Sequence, residues 1–143
     1  MSPDLFAKLH GASTHLPLVF VASSWAFDTA AFLAPQRNWS SELKNFAYWS
    51  MALGALGSVP AVATGLVMSR GEVLGHDTLR MHHLFVWPAF GLTMLLATWR
   101  LLSKRHHHAP ARWQFAVYLA GGLVATVLMS GAGYWGGELL LES

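Results

Sequence analysis

Histidines are the side chains of this sequence that are best suited to chemistry at a metal or a cofactor. The chain has eight histidines and no cysteine, which excludes a disulfide, a thiolate metal site, an iron–sulfur cluster and a covalently attached c-type haem. Metal chemistry therefore falls to imidazole, methionine and carboxylate groups. The histidines occupy three parts of the sequence: His10 and His15, then His76, His82 and His83, and finally His106, His107 and His108.

Four of these histidines form the candidate cofactor site. His15 begins the first long apolar segment, and His82 and His83 lie about one turn inside the third. Polar side chains at that depth in a membrane rarely face lipid, and two imidazoles that project inward from different helices suit the axial positions of a b-type haem. We therefore expect haem b to be bound by His10, His15, His82 and His83, with His15 and His83 as axial ligands and His82 as the alternate.

The helical phase of the third segment leaves the choice between its two histidines open. His82 shares a helix face with small and polar residues such as Thr93, and His83 shares one with aromatic residues such as Trp87. Either face could line a cofactor. Two other interpretations also remain: a copper or zinc site, and histidines that only hydrogen-bond to carbonyls, to lipid headgroups or to each other.

Two acids lie close to the apolar segments. A carboxylate such as Asp28, about two-thirds along the first segment, must pair, protonate or line water. We predict a structural hydrogen bond for it, and its candidate partners are Trp49, Ser50, Arg100 and Tyr118. Glu138 lies at the histidine end of the fourth segment, where its carboxylate could accept the Nδ1–H of a ligand histidine and so orient the ring; a solvated helix end is the alternative.

The elements that must position these residues are helices in a membrane. Hydrophobic residues make up 54% of the chain and charged residues 11%, against about 25% charged in an average soluble domain. Four nearly uncharged stretches are each long enough for the roughly 20 helical residues that cross a bilayer. We predict one all-α domain over 1–143, an integral membrane four-helix bundle with helices at about 16–34, 45–69, 79–102 and 112–137. The sequence has no basic stripe with interleaved aromatics, so we expect no nucleic-acid partner.

The distribution of lysine and arginine predicts the orientation of the bundle. Of the nine Lys and Arg residues, six flank the connections between helices 1 and 2 and between helices 3 and 4. They are Arg37, Lys44, Arg100, Lys104, Arg105 and Arg112. Because cytoplasmic loops carry the excess of positive charge, we expect both termini and the first five histidines on the outer, periplasmic side of a bacterial inner membrane. The triplet His106–His108 then lies in a cytoplasmic turn, where solvated basic residues are usual.

Five short motifs follow one another along the chain. They are the stretch 10–17, with two histidines five apart and a proline after the second; Asp28; Thr64-Gly65; the His82-His83 pair; and Gly136-Gly137-Glu138-Leu139. Their order resembles that of a family of small bacterial membrane proteins catalogued as domain of unknown function 2231. The family often has proline where Gly11 stands, and the tandem His82-His83 blurs which histidine aligns with the family's single one.

The resemblance implies a four-helix membrane protein in a redox setting, because some members are fused to cytochrome c modules. We therefore expect a b-type haem electron-transfer subunit that exchanges electrons with a periplasmic c-type cytochrome or dehydrogenase and performs no catalysis of its own. The alternative is a cofactor-free anchor or assembly subunit of a larger membrane complex. Small residues on helix 2 and the GxxxG pair of Gly133 and Gly137 on helix 4 favour that alternative.

Overall fold

The chain folds into four long helices. The computed structural model describes residues 3–105 and 110–142, so the predicted turn at His106–His108 lies outside the described residues. The helices are α1 (Pro3–Leu33), α2 (Ser40–Met68), α3 (Asp77–Arg105) and α4 (Arg112–Glu142). All four are long and apolar enough to cross a membrane. The prediction of an all-α protein with four membrane-spanning helices is confirmed.

Each helix extends beyond the apolar segment that predicted it. The helices are 29 or 31 residues long, which at the α-helical rise corresponds to about 45 Å. A bilayer is about 40–45 Å thick when its polar headgroup layers are included. Helices of this length are long enough to reach the headgroup layers, where polar residues are tolerated and hydropathy gives no signal of the helix.

The helices form a four-membered ring. Among the described residues, α1 packs against α2 and α4, and α3 packs against the same two helices. Helices α1 and α3 therefore lie on one diagonal of the bundle, with its centre between them. Side chains that point inward from α1 and α3 can thus approach a common ligand from opposite sides.

Small residues bring α1 and α2 close together. Gly54, Ser58 and Ala61 are buried on one face of α2, and Gly54 lies against Val21 of α1. The hydroxyl of Ser24 on α1 donates to the carbonyl of Ala47 on α2 at 2.8 Å. In lipid, where no hydrophobic force drives helices together, such close packing and interhelical hydrogen bonds supply the association energy.

Large apolar side chains lie on the outside of the bundle. Leucines and valines on the helices are mostly exposed, among them Leu56, Val59, Val117 and Val127. The fully buried positions include small or polar residues such as Ser24, Asp28 and Thr93. This distribution fits lipid as the surrounding solvent, because polar groups avoid lipid and apolar ones do not.

Replacing Gly54 by alanine should lower the free energy of unfolding by about 1–3 kcal/mol, the usual cost of overpacking. The added methyl group would lie 2.8 Å from Cγ2 of Val21 and 3.3 Å from its main-chain nitrogen, and β-branched Val21 has little rotamer freedom to move away. The measurement is unfolding of the purified protein by sodium dodecyl sulfate in mixed micelles, followed by circular dichroism.

Gly133→Ala is the matched control, because a Cβ at Gly133 would meet nothing within 4 Å. Its free energy of unfolding should be unchanged or higher than the wild-type value by up to about 1 kcal/mol, because alanine favours a helix over glycine. Equal effects of the two substitutions would contradict the packing that we describe between α1 and α2.

Candidate functional site

His10 is held by a hydroxyl of the neighbouring helix. Its Nδ1 lies 3.1 Å from Oγ1 of Thr64 on α2. The hydroxyl of Thr64 is itself 2.8 Å from the carbonyl of Pro60 and 3.0 Å from that of Ala61, so its proton is directed to the main chain. The oxygen of Thr64 therefore accepts from Nδ1–H of His10, and the free lone pair of this imidazole is on Nε2.

Gly65 gives the ring of His10 its space. A Cβ at position 65 would lie only 3.0 Å from Cε1 of His10, so the imidazole would have to shift by a few tenths of an ångström to make room for a larger residue. The dipeptide Thr64-Gly65 thus provides both the hydrogen-bond acceptor and the room for one half-buried imidazole.

His82 has a similar arrangement on the opposite helix of the bundle. Its Nδ1 lies 2.8 Å from the carbonyl oxygen of Ala132 on α4. Because a carbonyl can only accept, Nδ1 of His82 carries the proton and Nε2 carries the lone pair. Gly136 provides the space, since a Cβ there would lie 3.3 Å from both Cε1 and Nδ1 of His82.

Three of the four predicted histidines lie at the same end of the bundle and face its interior or a neighbouring helix. His10 is on α1, whereas His82 and His83 are on α3, the helix diagonally opposite. The rings of His82 and His83 have their centroids 5.7 Å apart. His83 is 5% exposed, and its Nδ1 has no hydrogen-bond partner among the described residues. His10, His82 and His83 are called the histidine cluster below.

His15 does not join the histidine cluster. Five residues turn an α-helix by about 140° beyond one full turn, so His15 and His10 point in very different directions from α1. His10 faces α2, whereas His15 is exposed on the outside of the bundle. The structure thus turns His10 toward α2 and leaves His15 on the outside of α1.

Glu138 makes no hydrogen bond or ion pair to another described residue and is partly exposed. The acceptors of the two imidazoles are instead the hydroxyl of Thr64 and the carbonyl of Ala132. Neither was recognised from the sequence. The nearest signals were the glycines of the Thr64-Gly65 and Gly136-Gly137 motifs, whose neighbours in space the sequence does not reveal.

The described residues do not form a metal-binding group. Within residues 3–105 and 110–142, three or more His, Cys, Asp or Glu side chains do not come close enough together to hold a metal ion. Copper and zinc sites in proteins usually need three or four protein ligands.

A second polar feature lies near the other end of the bundle. Asp28 is fully buried, and its Oδ1 accepts a hydrogen bond of 2.7 Å from Nη2 of Arg100, whose side chain is 12% exposed. The same Nη2 donates to the carbonyl of Lys44 at 3.2 Å. The guanidinium also lies over the rings of Phe115 and Tyr118, at 5.2 and 5.4 Å from their centroids. Of the four candidates named from the sequence, Arg100 therefore forms an ion pair with Asp28, and Tyr118 also lies next to this carboxylate.

The two polar features are well separated. Asp28 follows His10 by eighteen positions on α1, about 27 Å along the helix axis. The ion pair of Asp28 and Arg100 cannot contact the histidine cluster directly.

The comparisons with known proteins identify the family. Residues 7–143 match the model of a family described as "Predicted membrane protein (DUF2231)". The chain therefore belongs to this family, and the resemblance expected from its motifs is confirmed. No curated protein and no solved structure gives a significant match.

Replacing Asp28 by leucine should lower the free energy of unfolding by about 3–5 kcal/mol, because it leaves the Arg100 guanidinium without its counter-charge inside the bundle. The double variant Asp28→Leu with Arg100→Leu should recover most of this loss, since replacement of a whole buried ion pair by apolar groups is often neutral. Both variants are compared with wild type by unfolding in mixed micelles. A double variant less stable than the single one would contradict a paired role for these charges.

Proposed function

We propose that this protein is a b-type cytochrome subunit that carries electrons in a bacterial inner membrane, and that His10 and His82 would hold the haem. One observation carries the proposal. Two imidazoles on diagonal helices are each anchored through Nδ1, so that both have their Nε2 lone pairs free.

The residues around the two imidazoles fit such a group. Histidine ligands of metals almost always donate their other ring N–H to a carbonyl, carboxylate or hydroxyl, which fixes the tautomer and the ring orientation. His10 and His82 have such acceptors in Thr64 and Ala132. When bound, haem would supply reversible one-electron transfer at its iron, and it needs no cysteine for this mode of attachment.

The ligand pair proposed here differs from the pair expected from the sequence. His15 is exposed on the outside of α1, which favours His10 as the ligand from that helix. On α3, His82 has its Nδ1 committed to a carbonyl, whereas Nδ1 of His83 has no partner among the described residues. We therefore assign His82 as the ligand and keep His83 as the alternate.

The proposed orientation has both termini on the periplasmic side. Six of the nine Lys and Arg residues lie at the end of the bundle opposite the histidine cluster, and positive charge marks the cytoplasmic side of membrane proteins. The cluster would then face the periplasm. A c-type cytochrome or a periplasmic dehydrogenase is the proposed redox partner, and the protein performs no substrate chemistry itself.

A cofactor-free anchor or assembly subunit is the second candidate function. Gly133 and Gly137, four residues apart on α4, each have open space where a Cβ would lie. Such a pair permits the close approach of another membrane helix. A colourless purified protein that binds a larger membrane complex in fixed stoichiometry would favour this function.

We expect the protein purified from haem-replete cells to bind about one haem b per chain. The measurement is the absorption spectrum before and after reduction with dithionite, with a pyridine haemochrome assay to identify and count the haem. A sharp α-band in the reduced spectrum is the expected result. A spectrum without haem absorption would contradict the cytochrome assignment and favour the alternative function, a cofactor-free anchor or assembly subunit.

His10→Ala and His82→Ala should each abolish or strongly reduce haem content, because each removes one axial nitrogen. His15→Ala is the matched control on α1 and should keep full haem content, since His15 points away from the bundle. Circular dichroism of all three variants checks that the helices still form. Full haem occupancy in the His10 variant, or loss of haem in the His15 variant, would overturn the ligand assignment.

Thr64→Val should weaken haem binding by about 10- to 100-fold, the usual effect of removing the acceptor of a ligand histidine's second N–H. Thr64→Ser keeps the hydroxyl and should restore affinity close to that of the wild type. The affinity is measured by titrating haem into protein produced without it. If valine and serine give the same affinity, Thr64 does not position His10.

A further inference from the structure

A cavity lies between all four helices at the end remote from the histidine cluster. Its volume is about 610 Å³, and it reaches Phe32 of α1, about 33 Å along the helix axis from His10. This is within the usual size of small-molecule sites, about 300–1,000 Å³. Neither the family description nor the proposed electron transfer assigns a role to it.

The cavity is lined by four cations: Lys44 from α2, Arg100 and Lys104 from α3, and Arg112 from α4. Only Arg100 forms an ion pair within the described part of the chain. Its partner Asp28 lies behind it and is fully buried. The other three have no carboxylate within 4 Å among the described residues, so the cavity has a strong excess of positive charge.

Aromatic rings, rather than carboxylates, hold two of these cations. Nζ of Lys104 lies 3.7 Å from the centroid of the Tyr48 ring, and Cζ of Arg112 lies 4.9 Å from that of Phe32. Cation–π contacts orient a charge without neutralising it. Lys104 and Arg112 are therefore fixed at the cavity with their charges available to an anion.

Arg100 also has capacity for a ligand. Its hydrogen bonds to the described residues Asp28 and Lys44 both use Nη2. The guanidinium has five N–H donors, so those on Nη1 and Nε are not committed to these bonds. The buried carboxylate of Asp28 fixes the guanidinium in place, and a fixed guanidinium binds phosphate oxygens well.

Apart from the cations, Asn45 and Ser103, the residues that line the cavity are apolar or aromatic, and they include Phe32, Tyr48, Trp99 and Phe115. A free inorganic anion would use only the four cations and leave this wall in contact with water. An anion that carries an apolar tail would use both parts. Basic pockets between membrane helices, near one bilayer surface, are typical sites for anionic lipid headgroups.

We propose that this cavity binds an anionic phospholipid. The phosphate lies among the four cations Lys44, Arg100, Lys104 and Arg112, and the part of the acyl chain next to the headgroup lies along the aromatic wall. Inorganic phosphate carries the same anionic group as the lipid headgroup. Only the phospholipid also has an acyl chain that can contact the aromatic wall. The site is independent of the proposed haem. Failure of one assignment leaves the other unchanged, because different residues at opposite ends of the bundle carry them.

The test is native mass spectrometry of the detergent-solubilised protein, titrated with phosphatidylglycerol, phosphatidylcholine or inorganic phosphate. We expect one phosphatidylglycerol to bind saturably, and phosphatidylcholine and inorganic phosphate to bind much more weakly. Lys104→Gln with Arg112→Gln should weaken phosphatidylglycerol binding by about 10- to 30-fold, since each cation near an anionic lipid contributes about fivefold.

Arg37→Gln with Arg105→Gln is the control variant. It removes the same charge from the same end of the protein, but neither residue lines the cavity. Its affinity for phosphatidylglycerol should remain close to that of the wild type, and circular dichroism checks that both double variants fold. Equal losses of phosphatidylglycerol affinity in the two double variants would contradict binding in the cavity and indicate general attraction of the lipid to a basic surface. Binding of inorganic phosphate or of phosphatidylcholine as tight as that of phosphatidylglycerol would overturn the anionic lipid as the occupant.

Discussion

Lipid offers no hydrogen bonds, so a polar side chain within a membrane-spanning helix must find its partner inside the protein. Two contacts inside this bundle reflect that constraint, although Nδ1 of His83 and Oγ1 of Thr93 are buried without a hydrogen-bond partner among the described residues. Ser24 donates across the α1–α2 contact to a main-chain carbonyl, and Asp28 is paired with Arg100 from α3. Small residues on α2 permit the approach that these bonds need. The apolar side chains that would form the core of a soluble protein are mostly turned outward.

The same constraint gives the two ends of the bundle different chemistry. At one end, His10 and His82 each donate from Nδ1 to an acceptor on a neighbouring helix, which leaves Nε2 as a base or a ligand. At the other end, cations lie on aromatic rings around a cavity, and only one of them, within the described residues, has a carboxylate partner. These differences underlie the two proposals, a haem at the first end and an anionic lipid at the second.

The four-helix architecture and part of the polar chemistry could be predicted from the sequence. Four uncharged stretches of sufficient length predict four spanning helices, and a lone carboxylate in one of them requires an internal partner. Arg100 is among the candidates because its long side chain can reach the depth of Asp28. The depth of a residue follows from its position along a helix, so such candidates can be chosen by counting. Which candidate pairs with Asp28 depends on how each helix is rotated about its axis, and the positions of residues along one helix do not determine that rotation.

What the sequence by itself determined is the set of properties that depend on the order of residues along one helix: span, depth and the presence of histidines near one membrane face. The tertiary structure decided which side chains meet. It turned His10 toward Thr64 and Gly65, left His15 on the outside, and gave His82 the carbonyl of Ala132. These contacts depend on the rotation and pairing of four helices, and that choice is made by the close packing of small residues between helices.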